Sequence, residues 1–192
     1  IKRDMEVMLF ANTAKVAGND TTARKSAGLP TWIVNAATVI GANPTGDGTD
    51  TATNGTQRAL TEGLLQEASQ LAYDDGGNPS LLIVGAFNKR VVSGFPGNQT
   101  RNTDADEKKL VNSISIYEDD FNTLKVVADR FCVSRNATLI DTEYAKVAYL
   151  RSFETFDLAK IGSTTRKQIE VEWCLEMSNP DAHSTIRDLT TS

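Results

Sequence analysis

The sequence predicts an α+β fold, on three features. Apolar residues recur with helical period over 60–72. A short unbroken apolar run, Leu81-Leu82-Ile83-Val84, sits between turn residues. Apolar and polar residues then alternate from 168 to 177. A helix, an all-apolar strand and a second helix in that order build an α/β layer. Period-two alternation builds a strand with one dry face and one wet face. At 40% apolar, the 192 residues hold enough hydrophobic side chain to fill a real core.

From the N-terminus, Ile1, Met5, Met8 or Leu9 and Val16 recur at spacings of three, four and seven. This predicts a helix over 1–16 with one buried stripe, ended by Gly18-Asn19-Asp20. No Ser, Thr, Asp or Asn precedes it as a cap, so it reads as a helix cut in its middle and points to a longer natural product. Leu29-Pro30-Thr31-Trp32-Ile33-Val34 looks extended, because proline biases the residue before it toward β or polyproline geometry. The stretch 41–57, GANPTGDGTDTATNGTQ, carries scarcely an apolar side chain and predicts a long mobile surface loop.

Leu60, Leu64, Leu65, Ala68, Leu71 and Ala72 define the strongest predicted helix, with Thr61 as cap and Gly76-Gly77 as stop. The buried strand 81–84 follows, then a short helix over 86–95 and a polar link over 96–107. Segments 111–117 and 123–132 bracket Glu118-Asp119-Asp120-Phe121-Asn122 and predict a β-hairpin. In the last third, Ile169, Val171, Trp173, Leu175 and Met177 alternate with Gln168, Glu170, Glu172, Cys174 and Glu176. The segment 146–157 is the expected antiparallel partner, closed by Gly162-Ser163-Thr164-Thr165, and Asn179-Pro180 ends the long strand.

Composition excludes several kinds of chemistry. The net charge is -5 and the pI near 5.0, and the basic pairs Lys2-Arg3, Arg24-Lys25, Lys89-Arg90, Lys108-Lys109 and Arg166-Lys167 are scattered. A nucleic-acid tracker concentrates such residues on one face. No signal-peptide pattern opens the chain, and its longest apolar run is far below the roughly 20 residues of a membrane span. Cys132 and Cys174, in apolar strand-like contexts without metal-ligand spacing, read as buried thiols of a reducing compartment. Trp32 and Trp173 read as core or interface packing, and no aromatic stripe interleaves with basic residues.

The single histidine, His183, reads as a turn or surface residue, so no Ser-His-Asp or Cys-His machinery is available. Glu170, Glu172 and Glu176 share a strand face and could hold a divalent cation, but a solvated strand face accounts for them. Asp47-Gly-Thr-Asp50 looks like a piece of a calcium loop without the closing Glu, and a solvated Gly/Thr loop explains it better. Asp119-Asp120 occupies a turn, where Asp is favoured for backbone reasons. Sequons at Asn54, Asn98 and Asn136 would matter only on a secretory route. No catalytic residue, cofactor-binding residue or metal ligand is assigned.

Several stretches together resemble the major capsid proteins of tailed bacteriophages with the HK97-type fold. They are Ile1-Lys2-Arg3-Asp4-Met5-Glu6 running into Ala23-Arg24-Lys25-Ser26-Ala27-Gly28-Leu29, Leu60-Thr61-Glu62 with Gly76-Gly77-Asn78-Pro79, and Ser115-Ile116-Tyr117-Glu118-Asp119-Asp120-Phe121. Leu139-Ile140-Asp141 ahead of Tyr149-Leu150-Arg151, and Glu172-Trp173-Cys174-Leu175-Glu176 ahead of Asn179-Pro180, complete the set. The resemblance covers nearly all of the chain.

It implies a peripheral domain, 1–35 and 150–178, holding the end of a spine helix and a long β-hairpin. It also implies an axial domain, 36–149 and 179–192. The implied function is that of a structural subunit of an icosahedral phage capsid, with no enzymatic activity and no cofactor. Such a subunit assembles into hexamers and pentamers in the bacterial host cytoplasm, becomes part of the virion, and touches packaged double-stranded DNA weakly and non-specifically. No membrane is involved. The N-terminal arm and extended loop that interlock subunits in that family are not in these 192 residues, so this stretch by itself is compatible with a monomer. Two alternatives rest on the residues alone: a carboxylate-dependent, metal-assisted hydrolase using some of Glu170, Glu172, Asp119 and Asp120, or a β-rich ligand-binding module with 41–57 as its recognition loop.

Overall fold

The computed structural model describes residues 1–95 and 115–192. The predicted polar link at 96–107, the start of the predicted strand at 111–114, Asn98 and the Lys108-Lys109 pair lie outside the described residues.

β1 (Leu81–Val84) is the centre of the fold. It pairs in parallel with β3 (Thr123–Ala128) and antiparallel with β4 (Ala137–Ile140). β2 (Ile116–Glu118) adds outside β3, and β7 (Ser184–Ile186) outside β4, giving a five-stranded mixed sheet ordered β2-β3-β1-β4-β7. The period-two geometry of β1 sends Leu82 and Val84 to one face and Leu81 and Ile83 to the other, and each face finds a core. The strand is therefore covered on both sides, as an all-apolar run requires.

On the first face lie α2 (Glu62–Asp74) and α3 (Ala86–Ser93). Leu65, Ala68, Leu82, Leu124, Leu139, Ile186 and Leu189 are among the fully or almost fully buried members of this core. Each of the leucine and isoleucine side chains contributes about 2 kcal/mol by leaving water. α2 starts as predicted: the Leu64 amide donates to Thr61 Oγ1, and Gly76 takes up a left-handed φ of 78° after the last turn. α3 ends at Ser93, a little short of the predicted 95.

The second face is covered by Leu29 and Ile33, by Phe10 at the end of α1 (Lys2–Phe10), and by Leu175 and Met177 at the root of a hairpin. α1 is shorter than the predicted 1–16 because competing tertiary bonds take over. The Asn12 side chain donates to the Ala52 carbonyl, the Gly28 amide bonds Thr13 O, and Val16 forms a β-bridge with Lys25. Leu29–Thr31 forms a 3₁₀ turn and not the predicted extended segment. Extended geometry falls one residue earlier, at Gly28, and Pro30 sits in the first positions of the turn, where its missing N–H costs nothing.

The remaining strands, β5 (Ala145–Ile161) and β6 (Thr164–Met177), form a two-stranded antiparallel ribbon outside the main sheet. The predicted partner segment 146–157 proves to be part of a longer strand, and the turn narrows to Gly162-Ser163, with Gly162 at φ 67°. The predicted β2–β3 hairpin is present, with Tyr117 opposite Leu124, but β3 ends at Ala128, well before Cys132.

Candidate functional site

The β5–β6 ribbon carries apolar side chains that none of the described residues covers. At its root the dry face of β6 works as predicted, since Leu175 and Met177 pack into the second core. The pattern continues outward beyond the cover: Ile169, on the same face, is 52% exposed, and Tyr149, opposite Trp173, is 50% exposed. Among the described residues Leu150 is the most exposed large apolar residue, at 75%. The register explains it. Tyr149 pairs with Trp173 and Arg151 with Glu172, so β5 inserts Leu150 as an unpaired bulge residue. Further out, Phe153, Phe156 and Leu158 are also exposed.

α1 lies beside this ribbon. Lys2 Nζ stands 5.8 Å from the Phe153 ring centroid, and the Phe153 and Tyr149 rings are 6.3 Å apart. Val7 and Met8 are exposed on the helix. Between α1, the 16–26 segment and the ribbon runs an open groove of about 950 Å³, lined by Met8, Val16, Arg24, Tyr149, Leu150 and Trp173 among others. Uncovered apolar area of this kind, rimmed by charge, marks a surface built to meet another surface.

Two carboxylates on the acidic face of β6, Glu170 and Glu172, pair with arginines. Arg151 donates to Glu172 Oε1 at 2.7 Å and lies 3.8 Å from Glu170, while Arg24 reaches Glu172 at 3.4 Å. The Arg151 hydrogen bond holds the Glu172 carboxyl below its usual range and raises the guanidinium in turn. Among the described residues no group of three His, Cys, Asp or Glu side chains could hold a metal ion. Asp119 and Asp120 sit in the β2–β3 turn, where Asp119 Oδ1 accepts the Asp120 amide; they do not join Glu170 and Glu172. The groove's carboxylate, Glu172, is already paired, so the groove offers no acid-base couple.

Three expectations need correction. His183 is fully buried, not a turn or surface residue, because the segment 182–189 runs through the core beside β4. Cys174 is exposed, as its place on the wet face of β6 dictates, and Cys132 is only half-buried; burial nonetheless pushes the Cys132 thiol up to about 11. The stretch 41–57 lacks regular structure and lies at the surface, but its own polar groups tie it down. Asp47 Oδ1 accepts from the Thr49 amide and from the hydroxyls of Thr45 and Thr49, Asp50 accepts the Thr45 amide, and the Gly41 and Gly55 amides donate to Asp188. Thus the carboxylates of the calcium-like fragment serve as staples for the loop.

The exposed apolar ribbon residues Tyr149, Leu150, Phe153, Phe156 and Leu158, which lie on both faces, were not singled out from sequence. Their signal was apolar residues on both faces of β5.

The family model described as "SU10 major capsid protein" matches residues 1–190. The chain belongs to the SU10 major capsid protein family. That family is structural and not enzymatic, which removes the hydrolase alternative. A virus-like particle from Pyrococcus furiosus, known from its crystal structure, is similar at 10% identity with a TM-score of 0.41. The match covers 69% of this chain and 54% of the particle's, so the capsid-family chain spans about half the length of that neighbour. No curated protein matches it. Among the described residues no helix is long and apolar enough to cross a membrane.

Proposed function

We propose that this chain is a shell subunit that self-associates through the uncovered face of the β5–β6 ribbon and the adjoining α1. In this reading it has the HK97-type architecture, with 1–35 and 150–178 as the peripheral part and 36–149 with 179–192 as the axial part. Copies assemble into hexamers and pentamers in the host cytoplasm and enclose double-stranded DNA in the virion. Family membership supports the reading, and the observation that carries it is Leu150, bulged out of β5 and 75% exposed among other bare apolar side chains. A lone monomer would leave this area in water. A net charge of -5 suits weak, non-specific contact with packaged DNA, since a strongly basic inner face would trap it.

The test is expression of the complete gene product, followed by sedimentation and negative-stain microscopy. Rings or closed shells are expected from wild type, and Leu150→Asp with Phe153→Asp should shift the population to monomers with unchanged circular dichroism. A wild-type product that stays monomeric at every concentration, or double-variant shells indistinguishable from wild type, would defeat the proposal.

A further inference from the structure

The hairpin's two strands leave the main body at Asp141–Ala145 and Met177–Asn179, and His183 sits at that junction with no exposed surface. The Asp141 amide donates to His183 Nδ1 at 3.0 Å. A backbone N–H can only donate, so Nδ1 must be the unprotonated nitrogen and Nε2 carries the hydrogen. Nε2 is itself buried without a hydrogen-bond partner among the described residues. Around this bond the Asp141 carboxylate accepts the amides of Asn78 and Glu143, the Ser178 amide bonds Tyr144 O, and a Cβ on Gly77 would run into the Ala182 carbonyl. The root of the ribbon is thus closed by a set of contacts in which the imidazole takes the bond from the Asp141 amide.

We propose that His183 is an acid-sensitive clamp: protonation at Nδ1 forces two N–H groups to face each other, breaks the bond to Asp141 and frees the ribbon's root from the sheet. The clamp is a property of the folded chain and holds whether or not the chain builds shells. Charged and titratable groups around it are few. Asp141 faces the ring from the end of β4 and favours the cation; Glu143 and Tyr144 lie in the turn that follows. Asp181 lies on the preceding 3₁₀ turn, and Asp75, at the end of α2, accepts from Asn35, which also bonds the Asp181 carbonyl. Beyond β7, Arg187 directs its guanidinium to Ile33 O and Asn43. Desolvation outweighs Asp141 and holds the imidazole below its ordinary 6.5. The unfolded or opened state therefore binds the proton first, and closure is complete above pH 6.5 and lost as pH falls below it.

Amide hydrogen exchange, corrected for intrinsic rates, tests this on the whole chain between pH 7.5 and 4.5. In wild type, protection over 141–146 and 177–184 should fall about tenfold per pH unit below 6.5, while β1 stays protected. His183→Asn places a non-titrating acceptor oxygen near the Nδ1 position and should abolish the slope. Flat wild-type protection, or the same slope in His183→Asn, would overturn the proposal. Should the variant misfold, the single histidine gives an unambiguous proton resonance in wild type. It should stay neutral until the root opens, and an ordinary titration near 6.5 with the Asp141 amide still protected would also overturn it.

Discussion

The guanidinium of Arg135 and the carboxylate of Asp188 meet at 3.0 Å where the two ends of the 41–57 stretch come together, and Asp188 is only 2% exposed. The same carboxylate accepts the Gly41 and Gly55 amides, and Arg135 also donates to Gly55 O. Asp188 holds a left-handed φ of 59°, which Asp and Asn tolerate better than other side chains. One buried acid thus closes a long polar loop against the C-terminal segment.

Asp188→Asn keeps that backbone geometry and removes the charge, leaving Arg135 with a weakened partner. Breaking a buried pair costs about 3 kcal/mol or more. Urea unfolding should show a lower midpoint at unchanged slope. A loss under about 1 kcal/mol, within the usual range of a surface change, would mean that the loop is held by its other bonds.

Acid should not dissolve that loop early. The hydrogen bonds from Thr49, side chain first and backbone second, lower the Asp47 carboxyl from 3.8 to about 2. Its contribution is therefore complete above pH 3.8 and lost as pH falls through about 2. Amide shifts of Thr49 should stay native at pH 4, where the hairpin root has already loosened.

The two thiols should react at very different rates. Cys174 is exposed on the ribbon, while Cys132 is half-buried, donates to the Asp129 carbonyl and is pushed up to about 11. Since the thiolate is the nucleophile, alkylation at pH 8 should label Cys174 first, as peptide mapping would show. Equal labelling would contradict the burial of Cys132.

Large apolar residues on the ribbon and in the core should answer mutation oppositely. Leu139 is fully buried, so Leu139→Ala should cost about 3 kcal/mol. Leu150→Ser should leave thermal stability within about 0.5 kcal/mol of wild type yet reduce association in sedimentation. Equal losses of stability from both would show that the Leu150 bulge is packed within the monomer.

Much of the α/β layer was legible because its signals are local. Thr61 caps α2 and Gly76 ends it, and Leu81–Val84, unbroken and apolar, had to be covered on both sides. The β6 alternation likewise announced a strand with one wet face, and that face places Cys174 in solvent even though its apolar neighbours suggested burial. The carboxylates of the ribbon were legible as a solvated face, though not their arginine partners, since Arg24 lies 148 positions from Glu172.

What the sequence by itself determined is which short segments form helices or strands, because capping, periodicity and turn chemistry act over a few residues. Only the tertiary structure decided where α1 stops, since bonds from Asn12 to Ala52 and from Gly28 to Thr13 come from distant segments. It also decided that the polar stretch from His183 to Asp188 is core. Its sequence reads as surface until Asp141, Asn43, Ile33, Gly41 and Gly55 supply partners for His183 Nδ1, the Arg187 guanidinium and the Asp188 carboxylate. Burial of a polar group depends on partners, and no local pattern encodes partners that lie scores of residues away.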